Sequence, residues 1–323
     1  MKSKTRVAVL RGGPSSEYEV SLKTGAGVLQ NLPEHYEAID VLIDKKGVWH
    51  IAGLPFDPIN LHKKADVAFN AMHGEYGEDG TVQTLLENIG MPFTGSGSLA
   101  SAIGMNKHLA KKIFIDFGIK TPLHKVLNRE DLHEHTVHEI WTTFTQPSVI
   151  KPANAGSSVG VTIAHSLADI KEGLEKAFAV SDKVLIEEFI KGKEATCGVL
   201  EDFRGEDIYP LFPIEIVPQT QAFYDYESKY DADKVADHIC PGRFSKSEHE
   251  EIKRLAILAH KSINARHYSR SDFIIHPKRG VYLLEINTLP GLTPTSLIPD
   301  EMRAVGSSYS ELLDHVIKLA LKK

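Results

Sequence analysis

YLLEINTLPGLTPTSL, residues 282–297, opens as an apolar strand and closes as a polar loop. Its oddity is a carboxylate and an amide, Glu285 and Asn287, two residues apart in the apolar half. Just upstream runs RSDFIIHP (270–277), with Lys278, Arg279 and Gly280 before the next strand. An antiparallel pair turning on Lys278-Arg279 sets Asp272 opposite Glu285 and Arg270 opposite Asn287. Strand side chains alternate faces, so these four share one. Phe273, Ile275, Leu284 and Ile286 take the other face and can bury. A three-residue turn with a bulge at Gly280 would shift the register and spoil the shared face.

Two carboxylates at cross-strand distance repel each other. A hard divalent cation removes that repulsion, and oxygen-only ligands suit Mg²⁺ completed by substrate phosphates. Arg270 beside such a site is a clamp for a phosphoryl group in transfer. The competing reading is a surface ion-pair ladder of Arg270 with Asp272.

At roughly 100–200 residues per domain, 323 residues make two or three domains. Apolar content of 42% and charged content of 25% describe an ordinary globular protein. A net charge of −6 gives no reason to expect nucleic acid as partner. Cys197 and Cys240 are the two cysteines, without CxxC spacing, which argues against a disulfide framework or structural zinc and for a reducing cytosol. The N-terminus has too short an apolar run for a signal peptide, and no stretch approaches the ~18 apolar residues of a membrane span.

Strand-like and helix-like segments alternate, which indicates α/β units. RVAVL (6–10) is a strand, GGPSS turns, and a helix starts near Ser16, with Ser16 and Glu19 as a capping box. Residues 65–72 form a second strand, followed by a helix with Val82, Leu85, Leu86 and Ile89 on one face. Leu109, Ile113 and Phe117 predict the inner face of the next helix, stopped by Gly118. SVIKP (148–152) and KVLIEEF (183–189) are strands around a helical 167–179. Residues 205–245 read as a long loop or flap. Ile252, Leu255, Ala256, Ala259 and Ile263 mark one later helix; Leu312, Leu313, Val316, Ile317 and Ala320 mark the last.

Several loops carry possible chemistry. GGPSSEYEVS presents a helix N-terminus to an anion, or Glu17 to an ammonium group. HGEYGEDG (73–80) has glycines that permit close backbone approach to a ligand. KPANAGSSVG (151–160) can fold its N–H groups over phosphates, with Lys151 as point charge, although it is no Walker A motif. FYDYESKY (223–230) suits a lid that excludes water. GSGSLA (95–100), with Asp116 downstream, matches a dinucleotide fingerprint and keeps a nicotinamide oxidoreductase as the alternative. Each of these also reads as an ordinary turn or surface loop. His133, His135 and His138 lie in a polar stretch and read as solvated.

In chain order, GGPSSEYEVSL, HGEYGEDGTVQ, PFTGSG, MNK, VIKPANAGSSVG, VLIEEFIKGKE, FYDYESKY, the RSD hairpin and LLEINTLPGLTPTSL together resemble the D-alanine–D-alanine ligases of the ATP-grasp fold. The resemblance runs from about Val7 to Leu321. It implies an α/β, three-domain architecture: a Rossmann-like N-terminal domain (1–104), a central ATP-grasp subdomain (105–187) and a C-terminal one (188–323) with a flap at about 218–242. It implies ATP as co-substrate, two Mg²⁺ ions with Mn²⁺ as substitute, two D-alanines as substrates, a homodimer, a cytoplasmic location and a peptidoglycan precursor as product.

By matching position, Lys107 and Lys151 resemble the ATP-phosphate lysines, with Ser157 and Ser158 in the loop closing over the phosphates. Glu187 and Glu194 match the adenine and ribose positions, beside Phe189 and Ile190. Asp272, Glu285 and Asn287 resemble the magnesium ligands, and Arg270 the residue that stabilises the acyl phosphate. Glu17 would hold the first D-alanine's ammonium, with His73 near its carboxylate. Ser296 and Leu297 would receive the second carboxylate. Lys229 and Tyr230 lie on the flap, and Tyr230 resembles the dipeptide-forming type. The chain departs from the family pattern at Ala155, where glutamate is usual, at Asn106 and at Gly242. Another ATP-grasp ligase, or a catalytically silent relative with Ala155 as its first lesion, are the remaining alternatives.

Overall fold

The computed structural model describes residues 4–154, 160–217 and 237–322. β1 (Thr5–Gly12) carries the run Val7, Ala8, Val9 and Leu10, none of which reaches solvent. A strand buried on both faces belongs inside a parallel sheet. β1 pairs in parallel with β2 (Tyr36–Ile43) and β5 (Val67–Asn70). β3 (Trp49–Ile51) and β4 (Leu54–Pro55) extend the β2 edge in antiparallel fashion, giving the order β4-β3-β2-β1-β5. Helix Tyr18–Asn31 crosses from β1 to β2. It starts two residues later than the sequence suggests. Glu17 is its N-cap, and Ser15 Oγ accepts the Glu17 N–H at 2.9 Å. Ser16 and Glu19 therefore do not form a capping box.

The second sheet is antiparallel, in the order β6 (His124–Asn128), β9 (Lys183–Glu188), β7 (Ser148–Pro152), β8 (Thr162–Ala164). Helix Leu167–Val180 covers it with Ile170, Leu174, Ala177 and Phe178. In the third sheet, β13 (Asp237–Ile239), β12 (Ile214–Val217), β10 (Lys193–Phe203), β14 (Tyr268–His276) and β15 (Gly280–Asn287) lie in that order, and β11 (Glu206–Pro210) also pairs with β10. The described parts of 205–245 are thus three strands as well as loop, not loop alone. Helix Lys246–Ser262 packs Ile252, Leu255, Ala256 and Ala259 into this sheet's core. Helix Tyr309–Leu321 returns to the first sheet, so Val7, Phe69, Val316 and Ile317 share one core.

Helix Lys107–Asp116 corrects the expected inner face. Leu109 is 41% exposed and Phe117 is 51% exposed. Ala110, Lys111 and Phe114 point inward instead, with Ile113 partly buried beside them.

Candidate active site

The β14–β15 hairpin turns differently from the sequence reading, yet reaches the same pairing. His276 pairs with Gly280, so the turn has three residues, and Gly280 has φ 81°. That slips the register through Phe273, which faces Leu283. A β-bulge between Asp272 and Phe273 restores it. The extra residue on β15 is Leu284. Asp272 then pairs with Glu285, and Arg270 with Asn287. The two irregularities cancel, and the four polar residues share one face. Leu284 is the loser: Leu283 takes the core place expected for it, and Leu284 packs beside Ile190, Ile274 and Tyr282.

On that face Arg270 clasps Asp272 through Nε at 2.9 Å and an Nη at 2.8 Å. The expected ion pair is therefore present within the shared acidic face. Thr196 Oγ1 donates to the same carboxylate at 2.6 Å. Asn287 Oδ1 accepts the Leu289 N–H at 2.9 Å. Lys107 Nζ, from another element, stands 3.0 Å from Glu285 Oε2. Burial works against the Arg270 charge, but Asp272 and then Glu285 hold it firmly protonated.

This donor set fits a hard cation. It offers two carboxylates and an amide oxygen, with no sulfur or imidazole among them. Among the described residues no three His, Cys, Asp or Glu side chains gather as a metal-binding group. Two carboxylates and one amide need further oxygens, such as phosphate, to complete a shell.

Beside the hairpin lies a buried charge cluster. Glu187, on β9, is 2% exposed. Lys151 Nζ on β7 is 2.8 Å from its Oε2, and Lys111 Nζ is 3.0 Å from its Oε1. Both carboxylate oxygens thus face a lysine ammonium. Burial raises the glutamate's pKa, but Lys111 and Lys151 outweigh it and hold the carboxyl below its usual range. Lys111 was invisible to sequence reasoning because the helix face was read the wrong way round. Its spacing of four from Lys107 was the available signal.

Next in chain order, Phe189 is half-buried, Ile190 is buried, and Glu194 lies on β10 beside β14. At the first sheet, His73 is buried between Thr24 Oγ1 at 2.9 Å and Glu78 Oε1 at 2.9 Å. Ser21 Oγ accepts its backbone N–H. Glu17 adjoins this group across Gly74, where an added Cβ would come 3.6 Å from Glu17 Cβ. Ser296 is the N-cap of helix Leu297–Ala304, but its Oγ turns back to accept from Thr293 N at 3.1 Å. Among the described residues no side chain caps the first N–H groups of that helix, Leu297 included, and such groups suit an anion.

The fingerprint at residues 95–100 meets a filled site. Glu87 accepts from Ser98 N at 2.9 Å and Ser98 Oγ at 2.6 Å, which occupies the helix start that a pyrophosphate would need. Ser157, Ser158, Lys229 and Tyr230 lie outside the described residues, as do Ala155 and residues 218–236, on which most of the expected flap falls.

Comparison with known proteins gives the family and the fold. The family described as D-ala D-ala ligase C-terminus matches residues 113–318, and D-ala D-ala ligase N-terminus matches residues 6–60 and 52–96. A D-alanine–D-alanine ligase of Geobacter sulfurreducens is 40% identical over 97% of this chain and 93% of its own. The crystal structure of the VanG D-Ala:D-Ser ligase from Enterococcus faecalis superposes with a TM-score of 0.86 at 30% identity, covering 98% of this chain and 99% of that one. The D-alanine–D-alanine ligase from Bacillus anthracis, complexed with ATP, gives a TM-score of 0.77 at 31% identity over 98% and 97% of the two chains.

Proposed function

The chain belongs to the D-alanine–D-alanine ligase family, and from that premise we propose that it ligates two D-alanines with ATP cleavage, supplying a peptidoglycan precursor. The first D-alanine's carboxylate oxygen attacks the γ-phosphorus, and ADP leaves. The acyl phosphate's carbonyl is then attacked by the second D-alanine's amine. The tetrahedral intermediate expels phosphate, and the amine's proton goes to solvent. The chemistry asks mainly for charge neutralisation and in-line placement.

The residue roles follow from position. Lys107 and Lys151 would trade their carboxylate partners for the nucleotide's phosphates. Glu187, buried between the two lysines, would take the adenine amine, with Ile190 and Phe189 beside it and Glu194 on the ribose. Glu17 would hold the first ammonium and His73 would border its carboxylate. Arg270 would face charge developing on the acyl phosphate. The Leu297 N–H and Ser296 would receive the second carboxylate. Ser157, Ser158, Lys229 and Tyr230 would close over the nucleotide. Asp272, Glu285 and Asn287 would hold two Mg²⁺ ions, or Mn²⁺, which would neutralise the phosphate oxygens when bound.

What carries this assignment is the pair of cations, Lys107 and Arg270, standing against the acidic face of the hairpin. Division into 1–104, 105–187 and 188–323 belongs to the same reading, supported by the three separate sheets. So do a homodimer and a cytoplasmic location, the latter supported by two free cysteines and by the lack of a membrane-crossing helix among the described residues. Phosphate release from Mg·ATP is the test. Release with D-alanine alone, and none with L-alanine, is expected. Release only when D-serine or another amino acid is added would replace the substrate assignment.

A further inference from the structure

Lys111 is the most secluded cation near the site, with a side chain that reaches no solvent. Besides Glu187 it touches Thr121 Oγ1, to which it donates at 2.7 Å. Two lysines and one carboxylate form this cluster, so it carries one positive charge in excess. The two lysines are not equivalent. The Lys151 side chain lies on β7 and is 9% exposed, whereas Lys111 on its helix reaches no solvent. Lys151 is the one of the two with access to solvent.

If Lys151 leaves for a phosphate, Glu187 loses one partner while still buried. A buried carboxylate without a cation is strongly disfavoured and would take up a proton or pull the lysine back. We propose that Lys111 is the fixed counter-ion of Glu187, a positioning residue that releases Lys151 to the nucleotide phosphates. This rests on the reading above that Lys151 binds phosphate. It also explains a lysine on the buried face of an amphipathic helix, where a leucine would otherwise pack.

The same burial pushes Lys111 down to about 8, against the pull of Glu187. The charged or titratable groups around it are Glu187 on β9, Lys151 on β7, Glu285 on β15, and His124 on β6. Burial and then Lys111 press the His124 pKa down, so it is neutral across the alkaline range. Lys151 is held above its ordinary value, where burial is outweighed by Glu187 and Glu285. Lys111 is therefore the group of this cluster that discharges first as pH rises past 8. Nucleotide affinity should weaken there.

The experiment is a double-mutant cycle on the full chain, read as KM for ATP and kcat separately. Lys111→Met is expected to raise KM for ATP at least tenfold at pH 7, with kcat and the D-alanine KM within threefold. In the Glu187→Gln background, with no charge left to balance, Lys111→Met should change KM for ATP less than threefold. Wild-type affinity for a fluorescent ATP analogue should fall between pH 7.5 and 9, which needs no variant. Equal effects of Lys111→Met in both backgrounds, or a flat wild-type profile, would overturn the proposal. Lys151→Met separates the two readings: if it leaves KM for ATP unchanged, the phosphate role of Lys151 fails, and this proposal with it. An increase there with equal Lys111→Met effects in the cycle condemns the counter-ion role alone.

Discussion

Lys107 Nζ stands 3.0 Å from Glu285 Oε2, so a lysine beyond the hairpin neutralises one of the hairpin's own carboxylates. The cation holds ground that a divalent ion would claim. Removing it should have opposite effects on metal and nucleotide. In Lys107→Met, Mn²⁺ without nucleotide should bind more tightly, because Glu285 has lost its competitor, while KM for ATP rises at least tenfold. Electron paramagnetic resonance of free Mn²⁺ reads the first quantity. Mn²⁺ affinity that is unchanged or weaker contradicts the shared site.

Asp272 is held from two sides, by Arg270 at 2.9 and 2.8 Å and by Thr196 at 2.6 Å. Asp272→Asn keeps the shape and removes the charge. The Mg²⁺ concentration for half-maximal activity should rise at least tenfold, and kcat should fall by about two orders of magnitude, the scale of lost charge stabilisation. Arg270→Lys should lower kcat with little change in the Mg²⁺ requirement, because a lysine cannot reproduce the two-pronged grip. If Asp272→Asn titrates with Mg²⁺ as the wild type does, Asp272 is not a ligand.

How much of this was legible in the sequence depends on which rule governed each place. Period-two alternation found the acidic face of the hairpin. It did so although the turn was one residue longer than expected, because Leu284 bulges and resets the register. Alternation cannot locate a bulge, and so Leu283 and Leu284 exchanged roles. Helical periodicity failed at 107–116 for a different reason. Leu109 and Phe117 are apolar but exposed, while Lys111 is charged but buried. A pattern rule ranks residues by hydrophobicity, and only the partner Glu187, distant in sequence, makes the lysine's burial possible. The strands of 206–217 and 237–239 were hidden by mixed composition, and neighbours in the sheet decided them.

Gly198 tests how the helix start at Ser296 is held. It lies on β10 opposite Arg270, and its N–H donates to Glu301 Oε1 at 2.8 Å. Glu301 is fully buried, and burial pushes its carboxyl well above the usual range. A Cβ on Gly198 would sit 2.3 Å from Ile298 Cδ1 and 2.5 Å from Glu301 Oε2. Both are side-chain atoms of helix Leu297–Ala304, so in Gly198→Ala these side chains must turn aside or carry the helix with them. A cost of about 1–3 kcal/mol is expected from overpacking. The D-alanine KM should rise with it, since the proposed carboxylate site begins the same helix. A variant with unchanged denaturant midpoint would show that the helix yields freely.

His267 joins the first sheet's loop to the third sheet. Its Nδ1 accepts the Gly95 N–H at 3.0 Å, and its own N–H donates to Glu201 Oε2 at 2.6 Å. An accepting Nδ1 means a neutral ring with the proton on Nε2. Burial, and next Arg266, push the pKa down to about 4. The unfolded value is about 6.5. A folded pKa below the unfolded one gives stability that is complete above 6.5 and is lost as pH falls toward 4. The slope contributed is one proton at most, about 1.4 kcal/mol per pH unit. Glu201, also held below its ordinary range, destabilises in the same direction at lower pH, so the wild type alone cannot isolate the histidine. His267→Gln can. It keeps an acceptor for Gly95 and faces the same backbone φ of 63°. Denaturant unfolding from pH 7 to 4.5 should show a shallower acid loss in the variant, by up to that one-proton slope. Parallel curves would mean that His267 takes up its proton at the same pH folded and unfolded, so that the Gly95 contact does not hold it neutral.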